Sequence, residues 1–331
     1  MKASPARLPL TAAQLGIWLG QALDPDNTAY WAAEYLELAG ALDERALERA
    51  VTRAVAETES LRLRFGSDQS GEPGASLGPF QELLAGAPFE LRRNDVSGEP
   101  DPEASALATM RQDGIFRADL ARGPLVGSTL FRLGPERHFW YLRAHHVALD
   151  GFAFSLLERR VAALYDEETG TRPAPALSSV GIAELVAEDQ RYRSSPAFVR
   201  DREFWVARLR AVPAPRTLLP LQPLARRTLH HRGDSEAALW AKIGEHATAL
   251  KVDIASWLNA AVIAWLSSEQ GASSCTLGVP IAGRLASVAA SLPCMAMNIL
   301  ALAVSWTPDT TFAELVRAVV AEQRAARPHQ H

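Results

Sequence analysis

Cysteine is scarce in this sequence, and the positions of the two cysteines argue against a disulfide framework and a structural zinc site. The 331 residues contain only Cys275 and Cys294, and neither lies in a Cys-x-x-Cys pair or at a Cys/His spacing. A disulfide framework needs several cysteines, and a structural zinc site needs closely spaced ligands. We therefore expect no metal ligands and no disulfide framework, and the low cysteine content favours the reducing cytoplasm as the location.

Long apolar runs and an excess of basic charge are missing too. The most apolar stretches, 254–266 and 294–306, are interrupted by polar residues and are shorter than the about 20 residues that cross a bilayer. The N-terminal stretch has no secretory signal pattern. The formal net charge is −4, whereas nucleic-acid-binding domains are strongly basic. Membranes and nucleic acids are therefore not expected partners.

Hydrophobic periodicity predicts strands and helices that alternate along both halves of the chain, which indicates an α/β (α+β) fold. At about 150 residues per domain, the length suggests two domains. The stretch 169–176 is rich in proline and threonine, and it is the candidate boundary. We predict an N-terminal lobe over 1–175 and a C-terminal lobe over 176–331.

Two capping-box spacings, Thr11 with Gln14 and Thr311 with Glu314, each predict the start of a helix. Prolines between 213 and 223 predict a linker, and the basic cluster that follows at 226–232 is interpreted as a solvated loop, with carrier docking as the alternative. The predicted helices cover 11–22, 43–55, 102–116, 154–168, 182–212, 235–250, 254–268 and 311–326. The predicted strands cover 30–38, 60–65, 125–133, 138–146, 275–281 and 295–304.

The segment HHVALDG, which begins at His145, contains the residues best suited to chemistry. Side chains alternate along a strand, so His145 and His146 should point to opposite faces, with His146 on the purely apolar one. A neutral imidazole can accept a proton near pH 7. Asp150 and Gly151 follow at the start of the next helix, where glycine would permit a sharp turn with positive φ.

Structural roles for these residues are the alternative. Histidines near strand ends are usually satisfied core or surface residues, and Asp-Gly is common in turns. A metal site is the weaker reading, because His145 and His146 point apart and no third ligand is suggested by spacing. The residues alone leave a catalytic and a structural His146 about equally supported.

The motif HHVALDG resembles HHxxxDG, the active-site motif of chloramphenicol acetyltransferase-like enzymes and of condensation domains of nonribosomal peptide synthetases. Four further segments resemble condensation-domain motifs, in family order and over nearly the whole chain. These segments are LTAAQLGIW (10–18), ESLRLRF (59–65), GVPIAGR (278–284) and MNILAL (297–302). On these residues the chain is identified as a member of the condensation-domain family.

The resemblance implies a V-shaped pseudo-dimer of two chloramphenicol-acetyltransferase-like lobes with a tunnel between them. It assigns catalysis to His146, motif support to His145 and Gly151, and a structural salt bridge to Asp150 and Arg284. It places Asn298 on the tunnel. No cofactor is bound permanently; the substrates arrive on the 4'-phosphopantetheine arms of donor and acceptor carrier proteins, in a pathway that also includes an adenylation domain.

Within the family, the chain is most similar to the N-terminal condensation domain of enterobactin-synthase-type proteins, which implies an aryl or acyl donor and a possible role in siderophore biosynthesis. The end of the sequence, RPHQH (327–331), resembles the start of the next family motif, HQxxPFE, so we expect a truncated chain with an incomplete second lobe. A non-catalytic or split carrier-docking fragment and a CoA-dependent acyltransferase of the same superfamily are the alternatives.

Overall fold

The computed structural model describes residues 7–68, 78–86, 89–113, 117–177, 179–211, 233 and 235–331. Packing divides the chain into two compact units. The first comprises Met1–Arg191 and Arg284–Met297, and the second comprises Tyr192–Gly283 and Asn298–His331. We call Arg284–Met297 the return segment. The division into lobes at residue 175 stays a prediction, and the predicted linker and basic cluster lie outside the described residues.

Helices and strands are mixed in both units. The helices are α1 (Ala12–Leu23), α2 (Glu44–Glu57), α3 (Pro102–Asp113), α4 (Gly151–Glu168), α5 (Ile182–Arg193), α6 (Pro196–Arg210), α7 (Ala237–Leu250), α8 (Ile254–Gln270) and α9 (Phe312–Ala326). The strands are β1 (Arg7–Pro9), β2 (Trp31–Ala39), β3 (Leu63–Asp68), β4 (Gly78–Leu83), β5 (Leu91–Asp95), β6 (Val126–Gly134), β7 (Arg137–His145), β8 (Ser274–Ile281) and β9 (Asn298–Ser305). The mixed α/β fold class is confirmed, although among the described residues five helices follow one another from α4 to α8 and three strands from β3 to β5.

A four-stranded sheet of order β2-β7-β6-β5 forms the centre of the first unit. Its strand β7 is buried along both faces, since Trp140 and Leu142 contribute to one core cluster while Phe139 and Tyr141 contribute to another. Residues of α2 and α4 belong to the first cluster, and residues of α3 belong to the second. The predicted alternation of side chains along this strand is therefore confirmed, and the predicted hairpin forms as β6 and β7.

The largest differences from the predicted elements occur at residues 60–65 and 182–212. The strand predicted over 60–65 begins only at Leu63, since Glu59–Arg62 form a 3-10 turn in which Ser60 and Leu61 are both buried. The single helix predicted over 182–212 is two helices, α5 and α6. Ser195 caps the second of them and Pro196 occupies its first turn, a position where proline is favoured.

The second unit packs its helices α8 and α9 against the antiparallel pair β8–β9. Its buried centre includes Ile263, Leu302 and Val316. Both predicted capping boxes are present, at Thr11 in the first unit and at Thr311 in the second. Over the described residues no single helix is long and apolar enough to cross a membrane, whereas α7 and α8 together, bent by 102°, satisfy that test of length and composition.

A pair of carboxyl groups joins the edge strand β2 to helix α4 in the first unit. Glu34 on β2 pairs in register with Leu142, so its side chain lies on the sheet face that α4 covers. Glu34 as a whole is exposed, but its carboxyl group is partly desolvated where it contacts Glu158 on α4. This desolvation, with the hydrogen bond and the negative charge of Glu158, raises the pKa of Glu34 to about 7.

We predict that this pair destabilises the fold as the pH rises. The folded chain holds the Glu34 proton up to about pH 7, whereas the unfolded chain releases it near pH 4.5, so the stability of the wild type should fall between these values. Glu34→Gln should remove this part of the pH dependence, measured as the difference in urea midpoint between variant and wild type from pH 4.5 to pH 8.

Glu37 provides the matched control on the same strand. Its hydrogen bond to Arg137 lowers the pKa of its carboxyl group below the ordinary value of 4.5. Glu37→Gln should therefore lose stability relative to wild type as the pH rises toward 4.5, and from about pH 5 to pH 8 its difference from wild type should stay nearly constant. If Glu34→Gln shows the same pH profile as wild type, the carboxyl pair does not hold a shared proton.

Candidate active site at the turn between β7 and α4

A short, buried turn connects β7 to α4. Strand β7 ends at His145, residues 146–148 form the turn, and Asp150 caps α4 by accepting the N–H of Ala153 at Oδ1, 2.9 Å away. The side chains of residues 147–149 are completely buried in the core of the first unit. The cap explains why α4 begins at Gly151, earlier than the predicted residue 154, and the buried turn presents His146 from a fixed backbone.

His145 uses both ring nitrogens for the fold. Its Nε2 lies 3.0 Å from Oε1 of Gln21, and its Nδ1 accepts the N–H of Val147 at 3.2 Å. The ring is completely buried beside Trp31, whose ring centroid is 5.3 Å away in an edge-on arrangement. Burial, with a smaller effect of His146, lowers the pKa of His145 to about 3. His145 is therefore a neutral ring that holds the turn.

His146 is placed differently. Its backbone N–H donates to the carbonyl of Tyr30 at 2.7 Å, which extends the β2–β7 pairing by one residue beyond the strand. The side chain is half-buried, with Nδ1 completely buried. Within the ranges that the structure describes, neither ring nitrogen of His146 has a hydrogen-bond partner. This imidazole contributes no side-chain hydrogen bond to the fold and keeps both nitrogens for other use.

The Asp150 carboxylate joins the turn to the return segment. Its Oδ2 accepts Nη1–H of Arg284 at 2.7 Å and the backbone N–H groups of Ala296 and Met297 at 2.9 Å each. With Ala153 on Oδ1, the carboxylate accepts four hydrogen bonds while it is completely buried. A buried charge needs such complete pairing. The structure thus brings Asp150 and Arg284 together as the resemblance implies.

Arg284 in turn shapes the return segment around its guanidinium group. Nε donates to the carbonyl of Ala289 at 3.0 Å, and Nη2 donates to the carbonyl of Cys294 at 2.9 Å. The guanidinium carbon lies 4.8 Å from the centre of the Phe152 ring on α4. Charge-assisted hydrogen bonds of this kind are stronger than neutral ones. The Arg284 side chain therefore holds the return segment against the start of α4.

Further contacts hold the return segment within the first unit. The backbone N–H of Val288 donates to Oε2 of Glu188 at 3.0 Å, and the hydroxyl of Ser60 donates to the carbonyl of Pro293 at 2.6 Å. Cys294 is buried in the core, and its burial raises the pKa of the thiol to about 12. That thiol therefore stays protonated and acts as a core residue rather than as a nucleophile.

Gly151 does not adopt the positive φ that the sequence suggested. It is the first residue of α4, its φ lies outside the left-handed region, and a Cβ atom built on it meets no other atom within 4 Å. The expected strained turn is absent because Asp150 caps the helix from extended backbone. Glycine is therefore not required at this position by the backbone or by packing.

Asn298 lies in the second unit, at the first position of β9. The residue is exposed, although the strand that it begins is largely buried. Its Nδ2 donates to the carbonyl of Gln330 at 3.1 Å, and its Oδ1 accepts the N–H of Ile299. The side chain is exposed because the strand starts here rather than at residue 295. The placement of Asn298 on a tunnel stays a prediction.

Sequence reasoning missed Gln21, which the fold places against His145. The two residues are 124 positions apart, and a glutamine in an amphipathic helix carries no local signal of such a contact. Over the ranges described above, the structure contains no group of three or more histidine, cysteine, aspartate or glutamate residues that could hold a metal ion.

Comparison with known proteins decides the family. The family model of the condensation domain matches residues 6–331. The chain belongs to the condensation-domain family. Condensation domains are the amide-forming acyltransferases of nonribosomal peptide synthetases, and the HHxxxDG segment at the β7–α4 turn is the motif by which the sequence resembled them.

The related proteins are much longer than this chain. It is 39% identical over 98% of its length to isonitrile lipopeptide synthase of Streptomyces coeruleorubidus, of which it covers 22%. It is 33% identical over 98% of its length to enterobactin synthase component F of Escherichia coli (strain K12), of which it covers 25%. This chain thus spans about a quarter or less of the length of these relatives.

Solved condensation domains have the same fold. The first condensation domain of the calcium-dependent antibiotic synthetase, in complex with a substrate analogue, matches with a TM-score of 0.89 and 30% identity, over 98% of this chain and 75% of that one. A variant of the starter condensation domain of rhizomide synthetase, in complex with C8-CoA and Leu-SNAC, matches with a TM-score of 0.87 and 26% identity, over 98% of this chain and 72% of that one.

We predict that breaking the Asp150–Arg284 pair from one side destabilises the first unit strongly. Arg284→Met should lower the free energy of unfolding by about 3–5 kcal/mol, because it leaves a buried carboxylate without its cation. Adding Asp150→Asn to that variant should recover part of the loss. Urea denaturation followed by circular dichroism measures both effects.

The exposed pair Arg172–Asp166 is the control, since its arginine side chain is 72% exposed. Arg172→Met should cost at most about 1 kcal/mol. A loss of similar size in Arg172→Met and Arg284→Met would contradict the view that Asp150 depends on Arg284 for its burial.

We predict that Gly151→Ala stabilises the first unit by about 0.4–1 kcal/mol, because alanine restricts the unfolded chain and the helical position has room for its Cβ. Thermal unfolding measures the change. Gly127→Ala is the contrasting variant, since a Cβ there would lie 3.0 Å from Nε of the buried Arg143 and should destabilise the chain. A destabilised Gly151→Ala variant would show that the start of α4 is tighter than the structure indicates.

Proposed function

We propose that this chain catalyses amide-bond formation between a donor acyl or aryl thioester and the α-amine of an acceptor aminoacyl thioester. The amine nitrogen attacks the thioester carbonyl, the N–C bond forms and the C–S bond breaks. The departing thiol takes up the proton that the amine loses. His146 is the proposed catalytic residue, which orients the amine and removes its proton late in the step.

The contrast between the two histidines carries this proposal. His145 has both nitrogens in hydrogen bonds and is completely buried, so it has no free position for a substrate. His146 is half-buried and, in the part of the chain that the structure describes, has neither nitrogen in a hydrogen bond. A general base needs a nitrogen that is free to reach its proton. Of the two motif histidines, only His146 meets that condition.

The energetics assign most of the acceleration to positioning. A free α-amino group has a pKa of about 7.7–8.0, so part of it is unprotonated near neutral pH. Holding two reactants in the right geometry can contribute about 7–11 kcal/mol, while general-base catalysis contributes about 10²–10⁴-fold. We therefore assign His146 the smaller share and the binding of two tethered substrates the larger one.

The substrates would be delivered on the 4'-phosphopantetheine arms of carrier proteins, and an adenylation domain of the same pathway would load the acceptor. The multidomain relatives support partners of this kind in general, and siderophore biosynthesis is one pathway consistent with the likeness to enterobactin synthase. We place the reaction in the cytoplasm, where the two cysteines, which are free, stay reduced.

A soluble acyl-CoA is a second candidate donor. The rhizomide synthetase starter domain was solved with C8-CoA, and this chain shares its fold. The acceptor chemistry is unchanged in this alternative; only the carrier of the donor thioester differs. Direct competition between an acyl carrier protein and the matching acyl-CoA distinguishes the two donors.

Intact-protein mass spectrometry tests the proposal. The 331-residue chain is incubated with an acceptor carrier loaded with an amino acid and with donors offered as carrier thioesters, among them octanoyl and benzoyl groups, or as octanoyl-CoA. A mass increase of one acyl group on the loaded acceptor carrier is the expected result. No transfer from any donor by a folded, monodisperse sample would favour the non-catalytic docking alternative.

We predict that His146→Ala lowers the rate of acyl transfer by about 10²–10⁴-fold and leaves measurable transfer to a more nucleophilic acceptor, because positioning is retained. The same mass assay with time points gives the rate. His246→Ala, which removes an exposed histidine on α7, should keep the wild-type rate. Complete loss with every acceptor in a folded His146→Ala variant would contradict the assignment of most acceleration to positioning, and an unchanged rate would contradict the proposed role of His146.

A further inference from the structure

Gln21, in the last turn of α1, binds the loop that follows the helix. Its side-chain amide group is almost completely buried. Nε2 lies close to three backbone carbonyl oxygens, those of Asp24 at 3.1 Å, Pro25 at 3.3 Å and Asn27 at 3.1 Å. Carbonyl oxygens accept hydrogen bonds and cannot donate them. The nitrogen of the Gln21 amide must therefore face the loop, and its oxygen must face the other way.

The orientation of Gln21 determines which nitrogen of His145 is protonated. Oε1 of Gln21 lies 3.0 Å from Nε2 of His145, and an amide oxygen can only accept. His145 must therefore carry a proton on Nε2. The backbone N–H of Val147 independently requires an acceptor at Nδ1. The two contacts agree on one neutral tautomer, with the proton on Nε2 and the lone pair on Nδ1.

This hydrogen-bond chain ends next to the proposed catalytic residue. The N–H that His145 accepts belongs to the peptide bond between His146 and Val147, so the bond fixes the plane of the peptide that follows His146. The preceding peptide is held by the bond from the His146 N–H to Tyr30. Both peptides that flank His146 are therefore fixed, one of them through Gln21 and His145.

We propose that Gln21 is a positioning residue that sets the neutral Nε2–H tautomer of His145 and thereby orients the backbone that presents His146. The statement about the tautomer stands on the hydrogen-bond geometry alone. Its consequence for the reaction rests on the proposed function.

Glutamine suits this position better than the acidic residue of the same size. A carboxylate beside Nε2 would favour the charged imidazolium, in which Nδ1 becomes a donor and can no longer accept from Val147. The guanidinium of Arg143 lies 4.4 Å from the Trp31 ring, which also packs on His145, and Arg143 is paired with Asp113. Besides burial, only His146 shifts the pKa of His145.

Nuclear magnetic resonance of the full chain with ¹⁵N-labelled histidine tests the tautomer directly. The His145 signals, assigned by their loss in His145→Asn, should show a protonated Nε2 and an unprotonated Nδ1 throughout the range from pH 5 to pH 8. Signals of the opposite tautomer in the wild-type protein, or titration of His145 within that range, would overturn the proposal.

Gln21→Glu tests the role of the glutamine, and Gln112→Glu is its matched control. Gln112 is exposed and lies in the last turn of α3, a helix of the same length as α1. Gln21→Glu should raise the pKa of His145 and shift its signals toward the imidazolium form, whereas Gln112→Glu should change neither. Unchanged His145 signals in a folded Gln21→Glu variant would overturn the proposal.

The rate of acyl transfer tests the consequence for the reaction. Gln21→Glu should lower kcat by up to about 10²-fold, the scale of a small misplacement of a reacting group, with little change in KM, and Gln112→Glu should keep both constants. A changed tautomer with an unchanged kcat would overturn the positioning role. If the wild type transfers no acyl group at all, the proposed function fails, while the NMR result still decides the tautomer.

Discussion

The buried carboxylate of Asp150 is the interaction on which the candidate site depends. Four donors converge on it: the first turn of α4, the guanidinium of Arg284 and two amides of the return segment. A charge removed from water in this way requires all of its partners, so the turn, the start of α4 and the return segment form together.

The two histidines of the motif divide two tasks that one imidazole cannot perform at once. Both ring nitrogens of His145 form hydrogen bonds within the fold, and burial keeps the ring neutral. His146 is held through its backbone, with no side-chain hydrogen bond among the described residues. The free ring of His146 is positioned precisely only if the backbone that carries it is fixed. His145 supplies that constraint by accepting the backbone N–H of Val147.

Charge around the turn is balanced in pairs. Asp150 is matched by Arg284 on one side of the central sheet, and Asp113 is matched by Arg143 beside Trp31. Because the His145 ring is neutral, it needs no buried counter-charge. The same principle explains why the carboxyl pair of Glu34 and Glu158, which has no matching cation among the described residues, retains a proton instead.

Sequence alone was sufficient for the family, the fold class, the two capping boxes and the alternation along β7, because each depends on residues close together in the chain. The HHVALDG motif also pointed to His146 and Asp150, and the segment GVPIAGR pointed to Arg284. Tertiary structure decided the rest: that Gly151 starts α4 without strain, that Asn298 is exposed, and that Gln21 meets His145. The Gln21 contact depends on atoms that meet across more than a hundred residues, and the other two outcomes depend on the residue at which a helix or a strand begins. Local periodicity gives no information about the first and does not fix element boundaries.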